Sequence, residues 1–234
     1  MKRLLKVIPV LAAGVLFGAS GCADNEGMLF VRQVIALPAG NCQAAADPSG
    51  LFWSSGVLDL ALRDSYEASL LVGNQLVRRG SRDLLRTESS RVIIRGAEVA
   101  LLNDQKAVIS EFSVPAAGFI DPGSGDEPGY GVTSALLVPP GTATAGTRIV
   151  AEVRVFGDTL GGDEITSAAL AFPITVCSGC LISYPADADD PAQPGYQCAS
   201  SGSDTSGDPP CRLGQDEAVD CRLCAGVSQA CLAP

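Results

Sequence analysis

From Met28 to Val176 the chain never stays apolar for long: turn-forming Gly, Pro, Asn and Asp recur about every ten residues, between runs rich in Val, Ile, Leu and Phe. That rhythm leaves no room for long helices. Leu29–Leu37 reads LFVRQVIAL and stops at Pro38-Ala39-Gly40-Asn41. Gly56–Leu62 and Tyr66–Val72 flank Arg63-Asp64-Ser65, which reads as a hairpin connection. Arg91–Leu102 is a long strand, expected to bend at Gly96. Ala107–Val114 follows a turn at Asn103-Asp104-Gln105. Gly118–Gly131 is dense in Gly, Pro and Asp and reads as a loop. Val132–Val138 and Thr147–Phe156 lie across the turn Pro139-Pro140-Gly141, and Ile165–Val176 closes the set. Only Ser81–Glu88 has helical potential. About eight short strands in this order imply an all-β fold, an antiparallel β-sandwich of Ig-like or related type, over residues 28–176.

The remainder, residues 177–234, is a different material. Of the 26 residues of Pro185–Pro210, 17 are Pro, Gly, Ser or Asp, and none is Leu, Ile, Val, Phe or Met. Such a stretch cannot build an apolar core. Seven of the nine cysteines fall after residue 176. The segment therefore reads as a disulfide-rich, loop-dominated appendix.

The first 21 residues form an export signal: basic Met1–Lys6, then 13 uncharged residues from Val7 to Ala19, then small residues. A bilayer core needs about 20 apolar residues, so this run is too short to span one. Removing it takes away Lys2, Arg3 and Lys6 and leaves 13 basic against 26 acidic side chains. An acidic chain repels the phosphate backbone, so no nucleic-acid partner is expected.

Export makes disulfides the expected use of Cys42, Cys177, Cys180, Cys198, Cys211, Cys221, Cys224 and Cys231. Eight cysteines allow 105 connectivities. Parity narrows them: seven lie in the tail, so Cys42 must bridge to one of these if all are paired. Cys177 or Cys180, at the end of the last strand, are the expected partners. Two C-x-x-C pairs, Cys177–Cys180 and Cys221–Cys224, keep a zinc site or redox chemistry open as alternatives.

The chain has no histidine, which excludes Ser-His-Asp and Cys-His catalysis and His-based zinc enzymes. It has no G-x-S-x-G, P-loop or dinucleotide fingerprint. No catalytic residue, cofactor or metal ligand is assigned, and the chain is expected not to be an enzyme. Acids that could pair for glycoside hydrolysis sit on two loops, Asp121, Asp126 and Glu127 on one and Asp158, Asp163 and Glu164 on the other. Asp187, Asp189 and Asp190 could hold calcium, without EF-hand spacing. Trp53 is expected in the sandwich core, with an exposed ligand platform as its alternative. A carbohydrate-active enzyme or carbohydrate-binding module is thus the runner-up function.

Half of the 12 arginines beyond the leader lie between Arg78 and Arg95. Arg78, Arg82 and Arg86 are spaced by four, so a short helix would align them. They form a candidate anion-binding patch for lipid phosphates, acidic glycans or an acidic partner.

Ala19-Ser20-Gly21-Cys22 resembles the lipobox of bacterial lipoproteins, with Ala19 where that family usually has Leu. The resemblance implies cleavage before Cys22, which would then carry a thioether-linked diacylglycerol and an N-acyl chain, with residues 22–27 as the lipidated tether. Cleavage by an ordinary signal peptidase nearby is the alternative and would give a soluble exported protein. Ala23, rather than Asp, after the cysteine implies the outer membrane. The layout of lipobox, sandwich and cysteine-rich tail resembles uncharacterised bacterial lipoproteins. It implies a non-enzymatic envelope or cell-surface module, held to the membrane by its lipid, that binds or scaffolds an envelope protein or acidic glycan.

Overall fold

The structure is a computed structural model, and it describes residues 27–81, 86–184, 198 and 208–232. The expected export signal, Cys22, Arg82 and Asp187, Asp189 and Asp190 lie outside the described residues. In chain order the strands are β1 (Leu29–Ile35), β2 (Phe52–Trp53), β3 (Gly56–Asp59), β4 (Tyr66–Asn74), β5 (Val92–Leu102), β6 (Val108–Ile120), β7 (Gly129–Val138), β8 (Arg148–Thr159), β9 (Glu164–Thr166), β10 (Leu170–Cys177), β11 (Ile182–Ser183) and β12 (Val219–Asp220). The described part of the tail also holds a helical turn, α1 (Cys221–Cys224), and a 3-10 turn at Gln229–Cys231.

Two sheets make the sandwich. One runs β2-β1-β4-β7, and the other runs β3-β10-β8-β5-β6 with β9 on β8. All pairings within them are antiparallel except β3 with β10. Alternation along each strand sends one set of side chains between the sheets. Leu29, Leu70, Val72 and Leu137 from the first sheet meet Val92, Val99, Val153, Val155 and Ile174 from the second in one continuous core.

Two expectations change. Arg63–Ser65 is no hairpin: β3 and β4 belong to different sheets, so the chain crosses between layers there. The expected turn at Pro139–Gly141 is present, and it too carries the chain from one sheet to the other, from β7 to β8. The expected loop from Gly118 shrinks to residues 121–128, because β6 runs on to Ile120 and β7 starts at Gly129. β6 contains Pro115 and is an edge strand, where a missing N–H on the outer side costs nothing. The bend expected at Gly96 is present. The register slips between Ile94 and Gly96 against both neighbouring strands, and a Cβ at Gly96 would stand 2.5 Å from the Phe156 ring.

The tail closes the other edge of the second sheet. Asp59 N–H donates to the Gly214 carbonyl and Asp216 N–H to the Val57 carbonyl, so residues 214–216 lie along β3 as a short extra strand. Covering an edge in this way blocks pairing with other chains. Gln215, 2% exposed, then reaches across to the first sheet. Its Oε1 accepts from Glu67 N–H at 3.1 Å and its Nε2 donates to the Glu67 carbonyl at 2.9 Å, reproducing a strand's bond pair with one side chain. Beyond it lies a second small core, mostly sulfur: Cys198, Cys221, Cys224 and Cys231 with Ile182 and Val219, packed against Ala61 and Leu62.

Candidate functional site

A wide hollow of about 950 Å³ opens at one end of the sandwich, lined by Arg78, Gly80, Ser81, Arg86, Thr87, Glu88, Arg91, Asp121 and Pro122. Three strands deliver these residues. Arg78 follows the end of β4, Arg91 immediately precedes β5, and Asp121 and Pro122 follow β6. The arginine-rich connection between β4 and β5 is therefore one wall of a real depression.

The helix expected to align the arginines is not what brings them together. Ser81 and Arg86 exchange backbone hydrogen bonds at 2.9 Å in both directions, as opposed residues of a narrow antiparallel loop. Glu88 draws the loop back on itself: its carboxylate accepts from the N–H of Arg79 at 3.2 Å, of Gly80 at 2.8 Å and of Ser90 at 2.9 Å. Burial pushes this carboxyl up, but the backbone donors and nearby Arg78 outweigh it and hold it below its usual value.

The arginines are differently engaged. Arg86 Nε donates to the Arg79 carbonyl at 2.5 Å, and Arg78 Nη2 to the Pro122 carbonyl at 3.4 Å. Carbonyls hold these side chains without cancelling their charge. Arg91 instead pairs with Asp121 at 2.5 Å and lies over the Phe119 ring, 5.4 Å from its centre. Arg95 pairs with Asp158 at 2.7 Å. Such exposed pairs are screened by water and add little to stability, so an incoming anion can displace them. The hollow thus offers Arg78 and Arg86 to an anion, and Arg91 on exchange with Asp121.

The candidate acids do not gather round an aromatic platform. Asp126 and Glu127 belong to a neighbouring hollow with Gln75 and Arg78, and Glu164 opens β9 opposite Asp158. Trp53 is half-buried against the core and shares a hollow of about 20 Å³ with Arg212, Gln215 and Asp216. That space has room for about one water molecule, so no sugar ring enters it.

All eight described cysteines are paired: Cys42–Cys211, Cys177–Cys180, Cys198–Cys221 and Cys224–Cys231. Cys42 does bridge to the tail, but to Cys211 and not to Cys177 or Cys180, which bond each other. The physical reason is the tail's docking along β3, which carries Cys211 back over Pro38 at the end of β1. The Asp59 carboxylate lies within 4.8 Å of both Cys177 and Cys180 sulfurs. It caps their loop, accepting from Gly179 N–H at 2.6 Å and Leu181 N–H at 2.9 Å. Cys221 and Cys224 bond elsewhere, so the two C-x-x-C pairs do not make one four-thiolate site.

One buried constellation had no signal in the sequence. Tyr66, fully buried, donates its hydroxyl to the Asp216 carboxylate at 2.8 Å. Burial, then the neighbouring Asp216 charge, push the Tyr66 hydroxyl far above its usual range. Arg212 donates to the Glu67 carbonyl at 2.8 Å and Ser69 Oγ at 2.9 Å. These groups fasten the tail to the sandwich and are fully occupied in doing so.

The disulfides point to an extracytoplasmic location. Among the described residues no helix is long and apolar enough to cross a membrane. No protein-family model matches the chain, and no curated protein matches it.

Proposed function

We propose that this chain is an exported envelope protein, lipid-anchored through Cys22, that binds or scaffolds another envelope component and carries out no chemistry of its own. The observation that carries this reading is the complete pairing of the eight cysteines beyond Cys22 into four disulfides. Such pairing needs an oxidising compartment, and it leaves Cys22 as the one cysteine with a different fate. One acyl chain holds a protein only marginally, at about 0.8 kcal/mol per buried CH₂, whereas the three chains of a lipobox cysteine anchor it durably. Ala23 favours the outer membrane. The wide, arginine-lined hollow suits contact with a large anionic surface better than capture of a small substrate.

Mass spectrometry of the mature N-terminus in protein taken from its envelope should find Cys22 acylated. Cys22→Ser should leave the protein unprocessed or released from the membrane fraction. A lipid-free N-terminus at Ala23 or beyond would overturn the anchoring. Cross-linked pull-down from native membranes then identifies the component bound.

A further inference from the structure

Strand register places the chain's entry and the arginine hollow at the same end of the molecule. Leu29 pairs with Asn74 and Asn74 with Gly129, while Val92 pairs with Ile120 and Thr159. Asn74 ties the two sheets together there, its Nδ2 donating to the carbonyls of Ser90 and Ile120. Gln75 N–H donates to the Met28 carbonyl at 2.7 Å, so β1 starts beside the connection that carries Arg78. The disulfide-stapled tail lies at the opposite end, where Asp59 pairs with Cys177.

The same end exposes apolar side chains: Met28 at 43%, Val77 at 79%, Phe119 at 65% and Leu160 at 47%. They are neighbours of the arginines. Val77 precedes Arg78, Phe119 lies under the Arg91 guanidinium, and Leu160 N–H donates to the Arg91 carbonyl. Exposed Val and Phe next to arginines match a bilayer interface, where the apolar groups enter and guanidinium groups grip phosphates.

From these observations we infer that this end docks on an anionic lipid surface, with Val77 and Phe119 entering the headgroup layer and Arg78 and Arg86 contacting lipid phosphates. The inference rests on the anchored reading in one respect. The six Cα–Cα steps from Cys22 to Met28 span at most about 22 Å even when fully extended, so a lipid at Cys22 keeps this end, and not the tail, within reach of the membrane. The acids nearby set its limits. Asp121 and Asp158 are paired, and Glu88 is occupied by backbone donors, but Asp126, Glu127 and Asp163 stand on adjoining turns and Glu164 opens β9. With a net charge of −13 beyond the leader, the chain is not drawn to anions from afar. Attachment therefore depends on contact and on apolar insertion. The orientation leaves the tail, with Leu223 and Val227 exposed, pointing away from the bilayer.

The test uses the exported chain with Cys22→Ser, folded with its four disulfides, on vesicles of phosphatidylcholine with and without 30% (about one lipid in three) phosphatidylglycerol at low salt. Sedimentation should show binding to the anionic vesicles, weakened about tenfold by Val77→Ser with Phe119→Ser and by Arg78→Ala with Arg86→Ala. Val108→Ser with Ile109→Ser, also exposed (56% and 47%) but at the far end, should leave it unchanged. Absence of binding, equal loss in the near and far pairs, or equal binding to both vesicle types would overturn the inference. So would self-association abolished by the Val77 and Phe119 substitutions, which would assign this face to a second copy. Because this chain carries no lipid, a failure here leaves the acylation of Cys22 to its own measurement, and the converse holds.

Discussion

Replacing Cys42 and Cys211 together by Ser should lower the thermal midpoint by about 10–20 °C, the largest loss from any one disulfide in this molecule. The bond links residues 169 apart, from the end of β1 to the tail. In the chain-entropy account a loop of that length restricts the unfolded state by about 5 kcal/mol, and a domain of this size loses roughly 2–4 °C per kcal/mol. The same account gives about 2 kcal/mol for Cys177–Cys180, only 3 residues apart. Cys177→Ser with Cys180→Ser is therefore the internal comparison. The double substitution avoids a free thiol that could mispair. Calorimetry of the two variants, under oxidising conditions, ranks them. Equal losses would mean that loop length is not the source of the stabilisation. A loss at Cys42 and Cys211 below about 1 kcal/mol would mean that the tail's hydrogen bonds alone hold it in place.

The β rhythm and the cysteine parity were legible because each depends on local chemistry: alternation and turn residues for strands, and an odd count in the tail for the long staple. Which sheet each strand joins was not. Arg63–Ser65 and Pro139–Gly141 have the turn chemistry of a hairpin, yet both cross between layers. A turn residue encodes a change of direction, whereas the choice of partner follows from burial of both faces of the sandwich. β6 hid its second half because Pro115, Ala116, Ala117 and Gly118 are poor strand formers in isolation and are tolerated only at an edge. For the arginines the spacing by four did not announce how Arg78 and Arg86 come to share one hollow. Arg78 and Arg86 share a hollow because Ser81 and Arg86 oppose each other, with no helical stripe needed. The tail's docking rests on single residues, Arg212, Gln215 and Asp216, without a repeating pattern, so no periodicity could announce it.

Asp216 is the site of the second large effect, and the choice of substitute should decide its size. Asp216→Ala should cost roughly 3–5 kcal/mol, whereas Asp216→Asn should cost less than half as much. Two donors depend on this carboxylate: the Val57 N–H at 2.9 Å and the buried Tyr66 hydroxyl at 2.8 Å. Alanine leaves both unpaired, at about 1–3 kcal/mol each, and must also adopt the left-handed conformation found here, φ 61°. Asparagine keeps an acceptor and tolerates that backbone. The charge adds a pH signature. Burial raises the Asp216 pKa above its usual value against the pull of Val57, Tyr66 and Arg212. The folded state therefore binds the proton more tightly than the unfolded state, and this group's contribution to stability falls as pH rises from the ordinary carboxyl range through the raised folded value. Acidification should accordingly favour the wild type over Asp216→Asn, which has no such group to protonate. Urea midpoints of the two proteins at pH 7 and below pH 4 measure the difference. A gap that is constant with pH would mean that Asp216 carries no desolvation penalty. A gap that moves the other way would mean that its bonds to Tyr66 and Val57 outweigh burial and hold the carboxylate ionised.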